Sequence, residues 1–355
     1  MKPLIKILCL ILLFGGILKS ENEFKEREHF DNAIKYYNEG DYKKAEKECR
    51  MAIKINPNNA KSHHLLGKIL FERKRYDEAE KELREAIKID STYAEAHNNL
   101  GTLLEILKRY DEAEKEYREA IRINPNYAEA HYNLGTLLVS LGRHLEAEKE
   151  LSEAIRINPN DAQAHNSLGY LFLTLGLYEE AEKEFREAIK LNPQYSMAYS
   201  NLGITLFQLE KYEEAEEKLK EAIEIEPNNP IAHNNLGLLL YNLGRYNEAE
   251  KEYKEAIELD PKNEIMRNNL GYLLLYKLKK YKEAEKEFKK AIEINQEYAP
   301  AYVNLGVLYI ETKKEDKAKK IILKARELFE KYGDQNGVNY CDELLKSISE
   351  GEKND

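Results

Sequence analysis

Six of the eight histidines are the first residues in the chain that suggest chemistry, because they recur at multiples of 34 residues. They are His29, His63, His97, His131, His165 and His233. Imidazole binds zinc, but a zinc site needs three or four ligands within about 2.3 Å of one ion. If each histidine belongs to its own structural unit, and the units stack about 8–10 Å apart, the rings do not converge on one ion. We therefore interpret them as half-buried packing residues and expect no metal and no cofactor.

The short motifs of common enzyme classes are also missing from the sequence. It contains no glycine-rich phosphate loop, no His-Glu-x-x-His, no Gly-x-Ser-x-Gly and no Cys-x-x-Cys. Many carboxylates stand four residues before a basic residue, as Glu114 does before Arg118 and Glu250 before Lys254. Such pairs stabilise a helix by about 0.2–0.5 kcal/mol. We therefore expect a protein that is not an enzyme.

The elements that position these residues follow from the same period. Glycine recurs every 34 residues, and then once after an inserted residue, at Gly67, Gly101, Gly135, Gly169, Gly203, Gly237, Gly271 and Gly306. In the unit that begins at Ala94, apolar residues at helical spacing mark two helices, and Pro125 ends the second. We expect Gly101 to face Ala113 and Ala120 where the two helices cross, and residues 108–111 to form the turn between them. Each period therefore predicts one helical hairpin.

This register divides the chain into predicted segments. Residues 26–332 form nine units, and place one denotes the first residue of each: 26–59, 60–93, 94–127, 128–161, 162–195, 196–229, 230–263, 264–298 and 299–332. Residues 1–20 precede them as a signal peptide or short anchor, followed by a lead-in at 21–25. After them we expect a capping helix at 333–350 and a disordered tail at 351–355.

The pattern resembles the tetratricopeptide repeat. Leu stands at the seventh place, Gly at the eighth, Ala at the twentieth and twenty-seventh, and Pro at the thirty-second. The resemblance covers residues 26–332, and its end units depart most from the pattern. It implies an all-α fold, a right-handed α-solenoid or superhelix of tandem helical hairpins. The units are similar to those of the O-linked N-acetylglucosamine transferase, but no catalytic domain is expected beside them.

In such a superhelix the first helix of each hairpin lines a concave groove. The sixth place of that helix holds asparagine in six units, at Asn99, Asn133, Asn201, Asn235, Asn269 and Asn304. A similar asparagine ladder holds peptide in the repeat domain of that transferase. A primary amide has donors and an acceptor, so a column of amides can bind an extended peptide backbone. The alternative is that these asparagines are structural, since buried amides need partners in any case.

Other groove positions vary between units and become apolar towards the C terminus. The apolar candidates are Tyr170, Leu173, Ile204, Phe207, Leu238, Tyr241, Tyr272, Leu275, Tyr276, Val307 and Ile310. Towards the N terminus the same positions are polar, as at Lys68, Thr102, Glu105 and Thr136. An apolar groove predicts a hydrophobic or helical ligand there. The alternative is that the C-terminal helices pack on one another more fully.

The N-terminal segment and the charge constrain location and partners. Lys2 and Lys6 precede an apolar run of about 12 residues, which is short of the roughly 20 that span a membrane. We expect export to the periplasm or outside, or membrane attachment through this segment if it is not cleaved; without a signal the protein is cytoplasmic. The net charge is −10, and acids and bases alternate along the chain, so nucleic acid is a poor partner.

Three functions are compatible with the sequence. The first is a non-enzymatic scaffold that binds a protein or peptide in its groove, in an exported or envelope-associated assembly. The second is a repeat protein related to the glycosyltransferase arrays, which would need a catalytic domain that about two dozen residues after residue 332 cannot form. The third is a homo-oligomer in which one array docks on another copy.

Overall fold

The computed structural model describes residues 21–351, and within them every regular element is an α-helix. The predicted signal segment at 1–20 and the last four residues of the predicted tail lie outside the described residues. The predicted all-α fold of tandem helical hairpins is confirmed. The helices alternate between first and second positions of successive hairpins.

The first helix of each hairpin contains 13 residues from α3 onwards. The first helices are α1 (residues 21–38), α3 (Ala60–Glu72), α5 (Ala94–Ile106), α7 (Ala128–Ser140), α9 (Ala162–Thr174), α11 (Ser196–Gln208), α13 (Pro230–Asn242), α15 (Glu264–Tyr276) and α17 (Ala299–Glu311).

The second helices are amphipathic, and a final helix follows the last of them. They are α2 (Tyr42–Ile55), α4 (Tyr76–Ile89), α6 (Tyr110–Ile123), α8 (His144–Ile157), α10 (Tyr178–Leu191), α12 (Tyr212–Ile225), α14 (Tyr246–Leu259), α16 (Tyr281–Ile294) and α18 (Glu315–Lys331), followed by α19 (Gln335–Gly351). The last helix packs on α18 and α17 and covers the end of the array with Val338, Cys341 and Ile348 buried. It begins two residues later than the predicted capping helix.

The helices form two compact units, one ending at Leu171 and the other beginning at Phe172. We call them unit 1 and unit 2; the boundary lies within α9. Within each unit, a first helix packs against the second helix of its hairpin, and that helix packs against the next first helix. Successive first helices also contact each other directly, as α5 contacts α7 and α13 contacts α15. Among the described residues of each unit, successive second helices have no such close backbone approach and are joined through side chains, as by the ion pair of Arg118 with Glu146, so the first helices line the inner face.

The glycine at the eighth place lies against a large side chain that the sequence-based prediction did not name. A Cβ on Gly101 would lie 2.6 Å from the Tyr117 ring, so Tyr117 is its nearest neighbour where the helices cross, ahead of the predicted Ala113 and Ala120. Tyr117 lies between those two fully buried alanines on the same face of α6 and covers the glycine. Gly271 meets Phe288 in the same way at 2.6 Å. A side chain at the eighth place would therefore separate the two helices of a hairpin.

The turn between the two helices depends on one residue in the left-handed conformation. At the fifteenth place Gly142 has φ +72° and Lys108 has φ +61°. The N–H of Arg109 then donates to the carbonyl of Leu104 at 2.8 Å, which closes the C-terminal end of α5. The predicted turn at residues 108–111 is therefore shifted, since α6 already begins at Tyr110. The C-terminal end of α6 agrees with the prediction, because α6 ends at Ile123, just before Asn124 and Pro125.

Candidate functional site: the first-helix face

The predicted asparagine column lies half-buried on the first helices, and the amides of Asn99, Asn133, Asn235, Asn269 and Asn304 bond to the preceding hairpin. In unit 1, Nδ2 of Asn133 donates to Oδ1 of Asn98 at 3.0 Å. Nδ2 of Asn99 lies 2.6 Å from Nε2 of His64. Burial lowers the pKa of His64 to about 4, so its ring is neutral near pH 7 and Nε2 accepts this bond. These asparagines therefore connect successive first helices.

Unit 2 repeats this arrangement three times. Each asparagine donates through Nδ2 to the residue at the fifth place of the preceding hairpin: Asn235 to Ser200 at 3.0 Å, Asn269 to Asn234 at 3.0 Å, and Asn304 to Asn268 at 2.9 Å. Asn201 lies half-buried at the same place on α11, and its backbone carbonyl accepts the hydroxyl of Thr205. The structural interpretation of the column is thus supported. One bond per amide still leaves an N–H and an oxygen with bonding capacity.

The tyrosines predicted for the C-terminal part of the groove form an aromatic cluster in unit 2. The ring centroids of Tyr241 and Tyr272 are 5.8 Å apart, and those of Tyr272 and Tyr276 are 4.4 Å apart. Tyr272 remains 39% exposed, whereas the other two are half-buried. The ammonium of Lys277 lies 5.6 Å from the ring centroid of Tyr241. The cluster therefore has one open aromatic surface, on Tyr272.

The remaining predicted groove residues are less accessible or belong to the other unit. Ile204, Phe207 and Leu238 are half-buried, and Phe207 packs on the core of unit 2. Leu275, at a place where an exposed side chain was expected, is fully buried. The alternative of fuller packing among the C-terminal helices is therefore correct for Leu275. Tyr170 is 48% exposed but lies in unit 1.

Polar groove residues of unit 1 bond to other groups of the same unit. The hydroxyls of Thr102 and Thr136 donate to backbone carbonyls of their own helices. The carboxylate of Glu105 accepts the hydroxyl of Tyr117 at 3.0 Å, and the ammonium of Lys68 lies 5.2 Å from the ring centroid of Tyr37. These groups are consequently less free to bind a ligand than the amides and the open tyrosine of unit 2.

The recurring histidines do more than pack, because His63, His131 and His233 each bridge two acceptors. Nδ1 of His63 lies 2.6 Å from Oε2 of Glu82, and Nε2 lies 3.0 Å from the carbonyl of Pro57. We call this pair of contacts the fourth-place bridge, after the place of the histidine. Since a carboxylate and a carbonyl are both acceptors, both ring nitrogens must carry a proton. The hydrogen bond to Glu82 accordingly raises the pKa of His63 above its usual value.

The same bridge occurs with a permanent cation in the eighth hairpin. Arg267 replaces the histidine, donates from Nη1 to Glu287 at 2.7 Å, and donates from Nη2 to the carbonyl of Pro261 at 2.8 Å. In the ninth hairpin the hydroxyl of Tyr302 donates to the carbonyl of Gln296 at 3.1 Å. The bridge of His97 is incomplete, because the Nε2 atom of its ring is buried without a hydrogen-bond partner. Before His97, Ser91 stands in place of the proline.

The sequence contained a signal for this bridge that the prediction missed. Its carboxylates also recur at the 34-residue period, 19 places after each histidine, as at Glu48, Glu82, Glu116, Glu150 and Glu252. The histidines are buried or half-buried, as predicted. Among the described residues, no group of three or more His, Cys, Asp or Glu side chains is arranged to hold a metal ion.

Ion pairs connect successive hairpins on the second helices. Oε1 of Glu114 accepts from Arg118 at 2.8 Å, as the spacing predicted, and its Oε2 accepts from Arg143 of the next hairpin at 2.6 Å. The predicted pair of Glu250 with Lys254 is also present, at 2.7 Å. No helix in residues 21–351 is both long enough and apolar enough to cross a bilayer.

Comparison with sequence families gives tetratricopeptide repeats along most of the chain. A model described as the cilia and flagella-associated protein 70 C-terminal domain matches residues 127–339, which is more than half of the sequence. A model described as TPR repeat matches residues 67–105 and 106–142, and two described as tetratricopeptide repeat match residues 48–81 and 35–59. None of the curated proteins compared with the chain matches it.

Several solved structures share the fold. A tetratricopeptide repeat protein from Parabacteroides merdae is 20% identical with a TM-score of 0.56, over 70% of this chain and 99% of that chain. Pseudomonas aeruginosa pilF is 20% identical with a TM-score of 0.55, over 60% and 96%. The anaphase-promoting complex hetero-tetramer Cut9–Hcn1 is 17% identical with a TM-score of 0.62, over 86% and 59%. At these identities the likeness concerns the fold alone.

Proposed function

Because the chain belongs to the tetratricopeptide repeat family, we propose that it is a non-enzymatic protein-interaction scaffold whose unit 2 binds an extended segment of a partner protein on its first helices. The proposal concerns the face that carries Asn235, Asn269, Asn304 and Tyr272, which we call the unit 2 face. Binding without catalysis is the whole of the proposed activity.

The observation that supports it most directly is the spacing on α15. Asn269, Tyr272 and Tyr276 stand three and four residues apart, so they share one side of the helix. The amide bonds to the preceding hairpin through one N–H and keeps a donor and an acceptor, which an extended backbone requires. The exposed ring of Tyr272 adds an apolar surface with a polar hydroxyl. Together they suit the backbone and one apolar side chain of a bound segment.

A selection experiment tests this proposal with a defined probe. A display library of random 12-residue peptides is selected on the full chain, and the enriched peptide is titrated by fluorescence anisotropy. We expect Tyr272→Thr to weaken binding about tenfold, since a desolvated aromatic contact contributes about 1–2 kcal/mol. Threonine is the residue that α5 carries at this place, as Thr102.

A matched change in the other unit is the control. Tyr170→Thr replaces the equivalent tyrosine of α9, which lies in unit 1, and it should leave the affinity unchanged. A second variant, Asn269→Ala, should also weaken binding, and urea unfolding establishes that each variant is folded. The proposal is refuted if no peptide is enriched, or if Tyr272→Thr and Asn269→Ala bind the enriched peptide as tightly as the unmodified chain.

We also propose that the protein is exported. The support is the sequence of residues 1–20, in which Lys2 and Lys6 precede an apolar run and Ser20 precedes an acidic residue. Sequencing the N terminus of protein purified from its native cells tests this. A mature terminus near residue 21 is expected, and an intact Met1 in a cytosolic fraction would refute export.

A further inference from the structure

The last two hairpins of unit 2 differ in charge from the five hairpins directly before them. Residues 264–332 contain 16 Lys and Arg against 11 Asp and Glu, whereas residues 94–263 contain 18 against 32. The alternation of acids and bases along the chain therefore does not imply equal numbers of the two in this part. A basic region in a chain of net charge −10 requires a physical or functional reason.

Seven of these lysines lie around two adjoining depressions beside α16. The first has a volume of about 460 Å³ and the second about 410 Å³, and both are bordered by Lys282 and Glu285. We call the lysines of the two depressions the lysine track: Lys279, Lys280, Lys282, Lys286, Lys289, Lys290 and Lys314. The track follows the exposed side of α16, whose 14 residues span about 21 Å.

Two lysines of the track occupy places where other second helices carry carboxylates. Lys282 lies in the first turn of α16, where the helix dipole favours an acidic residue. Asp77, Asp111, Glu179 and Glu213 occupy this place elsewhere. The place of Lys290 is likewise acidic elsewhere, at Glu85, Glu119, Glu153, Glu187, Glu221 and Glu255. Helix stability therefore does not account for these two lysines.

The track also has positive charge that the hairpins themselves leave uncompensated. Lys289 pairs with Glu285 at 2.7 Å, and Lys280 pairs with Glu250 at 2.8 Å. Within the described part of the chain, Lys279, Lys282 and Lys286 form no ion pair, and all three are exposed. This contrasts with Arg109 of unit 1, which pairs with both Glu80 and Glu112.

We propose that the lysine track is a docking surface for an acidic, extended segment of a partner protein, separate from the unit 2 face. Charge complementarity identifies the ligand as anionic. The two depressions adjoin along α16, and the length of that helix suits a chain of about six extended residues. Carboxylates also border the depressions, at Glu283, Glu285 and Glu293. A peptide can place neutral residues beside them, whereas the evenly spaced phosphates of a nucleic acid cannot avoid them.

The experiment measures binding of fluorescein-labelled hexaglutamate to the full chain by anisotropy, with hexaglutamine as the uncharged reference. The test variant is Lys282→Asp with Lys290→Glu, which introduces the residues that α6 carries as Asp111 and Glu119. The control variant is Lys81→Asp with Lys88→Glu on α4 in unit 1, which changes the net charge by the same amount. Three of the four substituted lysines are exposed and Lys290 is half-buried, and circular dichroism verifies the helix content of both variants.

We expect the unmodified chain to bind hexaglutamate with an affinity that falls as salt is added, and the test variant to bind about tenfold more weakly. The control variant and Tyr272→Thr should bind it like the unmodified chain, which separates this surface from the unit 2 face. Equal affinity of test and control variants overturns the proposal. It is also overturned if phosphatidylserine vesicles or oligodeoxythymidylate displace hexaglutamate and bind more tightly through the same lysines.

Discussion

The second and eighth hairpins make the same pair of contacts with different cations. In the second hairpin, the imidazole of His63 bridges the carboxylate of Glu82 and a proline carbonyl. In the eighth, the guanidinium of Arg267 bridges Glu287 and the equivalent carbonyl. In these two hairpins the fourth place therefore holds a side chain with two donors and a positive charge. The difference is that imidazole loses its charge near neutral pH, whereas guanidinium keeps its charge.

The contacts of Arg267 show that the recurring histidines act as bridges and not only as packing residues. A packing residue could be replaced by any side chain of similar size, but Arg267 matches histidine in its contacts and not in its shape. Tyr302 of the ninth hairpin retains only the contact to the carbonyl, to that of Gln296. The second hairpin thus has a bridge whose cation is titratable, and the eighth has a bridge whose cation is permanent. The ninth has one neutral hydrogen bond in place of the bridge.

The largest effect is expected when the permanent bridge is broken. Among residues 21–351, Arg267→Met leaves the carboxylate of Glu287, which is 12% exposed, with Lys290 at 3.9 Å as its remaining ion-pair partner. Removing one partner of a nearly buried pair costs about 3 kcal/mol. Urea unfolding, followed by circular dichroism, should give this loss. The double variant Arg267→Met with Glu287→Leu should recover most of it, and an unstable double variant would contradict the bridge as the cause.

A smaller effect is expected from pH on the titratable bridges. The pKa of His63 is raised mainly by its hydrogen bond to Glu82. Burial opposes the charge of His131, but its bonds to Glu150 and to the carbonyl of Pro125 raise its pKa as well. A raised pKa means that the folded state holds the proton more tightly than the unfolded state. The stabilisation is therefore complete below the unfolded pKa of about 6.5 and is lost as pH rises through the folded pKa.

The measurement is the urea midpoint from about pH 6 to about pH 9. The unmodified chain should lose stability across this range, by about 1.4 kcal/mol for each unit by which a histidine pKa is raised. The variant His63→Arg with His131→Arg, which copies the permanent cation of the eighth hairpin, should lose less. Parallel pH profiles for the two proteins would contradict a protonated bridge. Arg267→His should add a loss at high pH in the eighth hairpin.

The smallest effect is expected at the neutral half of the bridge. Tyr302→Phe removes one hydrogen bond to a carbonyl of the exposed residue Gln296. Water can replace that bond, so the loss should be about 0.5 kcal/mol at every pH. A loss as large as that of Arg267→Met would show that the ring and not the cation carries the stabilisation. Urea midpoints of the two variants at one pH make the comparison.

The sequence predicts the fold well because the fold is periodic. Glycine at the eighth place and proline at the thirty-second mark the hairpins, and the helices begin and end close to these residues. The left-handed fifteenth place could also have been found, because Gly142, Gly176 and Gly244 occupy it. Lys108 occupies the same place, and a lysine does not by its residue type indicate a positive φ.

The candidate site is less predictable because it depends on contacts between helices. The period places Asn269 and Tyr272 on one face, but it does not show that the amide donates to Asn234 of the preceding hairpin. It likewise assigned Leu275 to the groove, although neighbouring helices bury that side chain completely. The bridging carboxylate of Glu82 was missed because its partner His63 lies on another helix. Predicting these contacts requires the direction in which each side chain points, in addition to its place in the repeat.

The asparagine bonds have a consequence for how each unit folds. They join residues 35 or 36 positions apart, as between Asn98 and Asn133 or between Asn268 and Asn304. Each new hairpin therefore closes a loop of nearly the same length, and the loop-closure entropy is nearly the same at every step. Folding of a unit can start at any hairpin and propagate to its neighbours. With contacts this local in sequence, formation of a unit should be fast for its size.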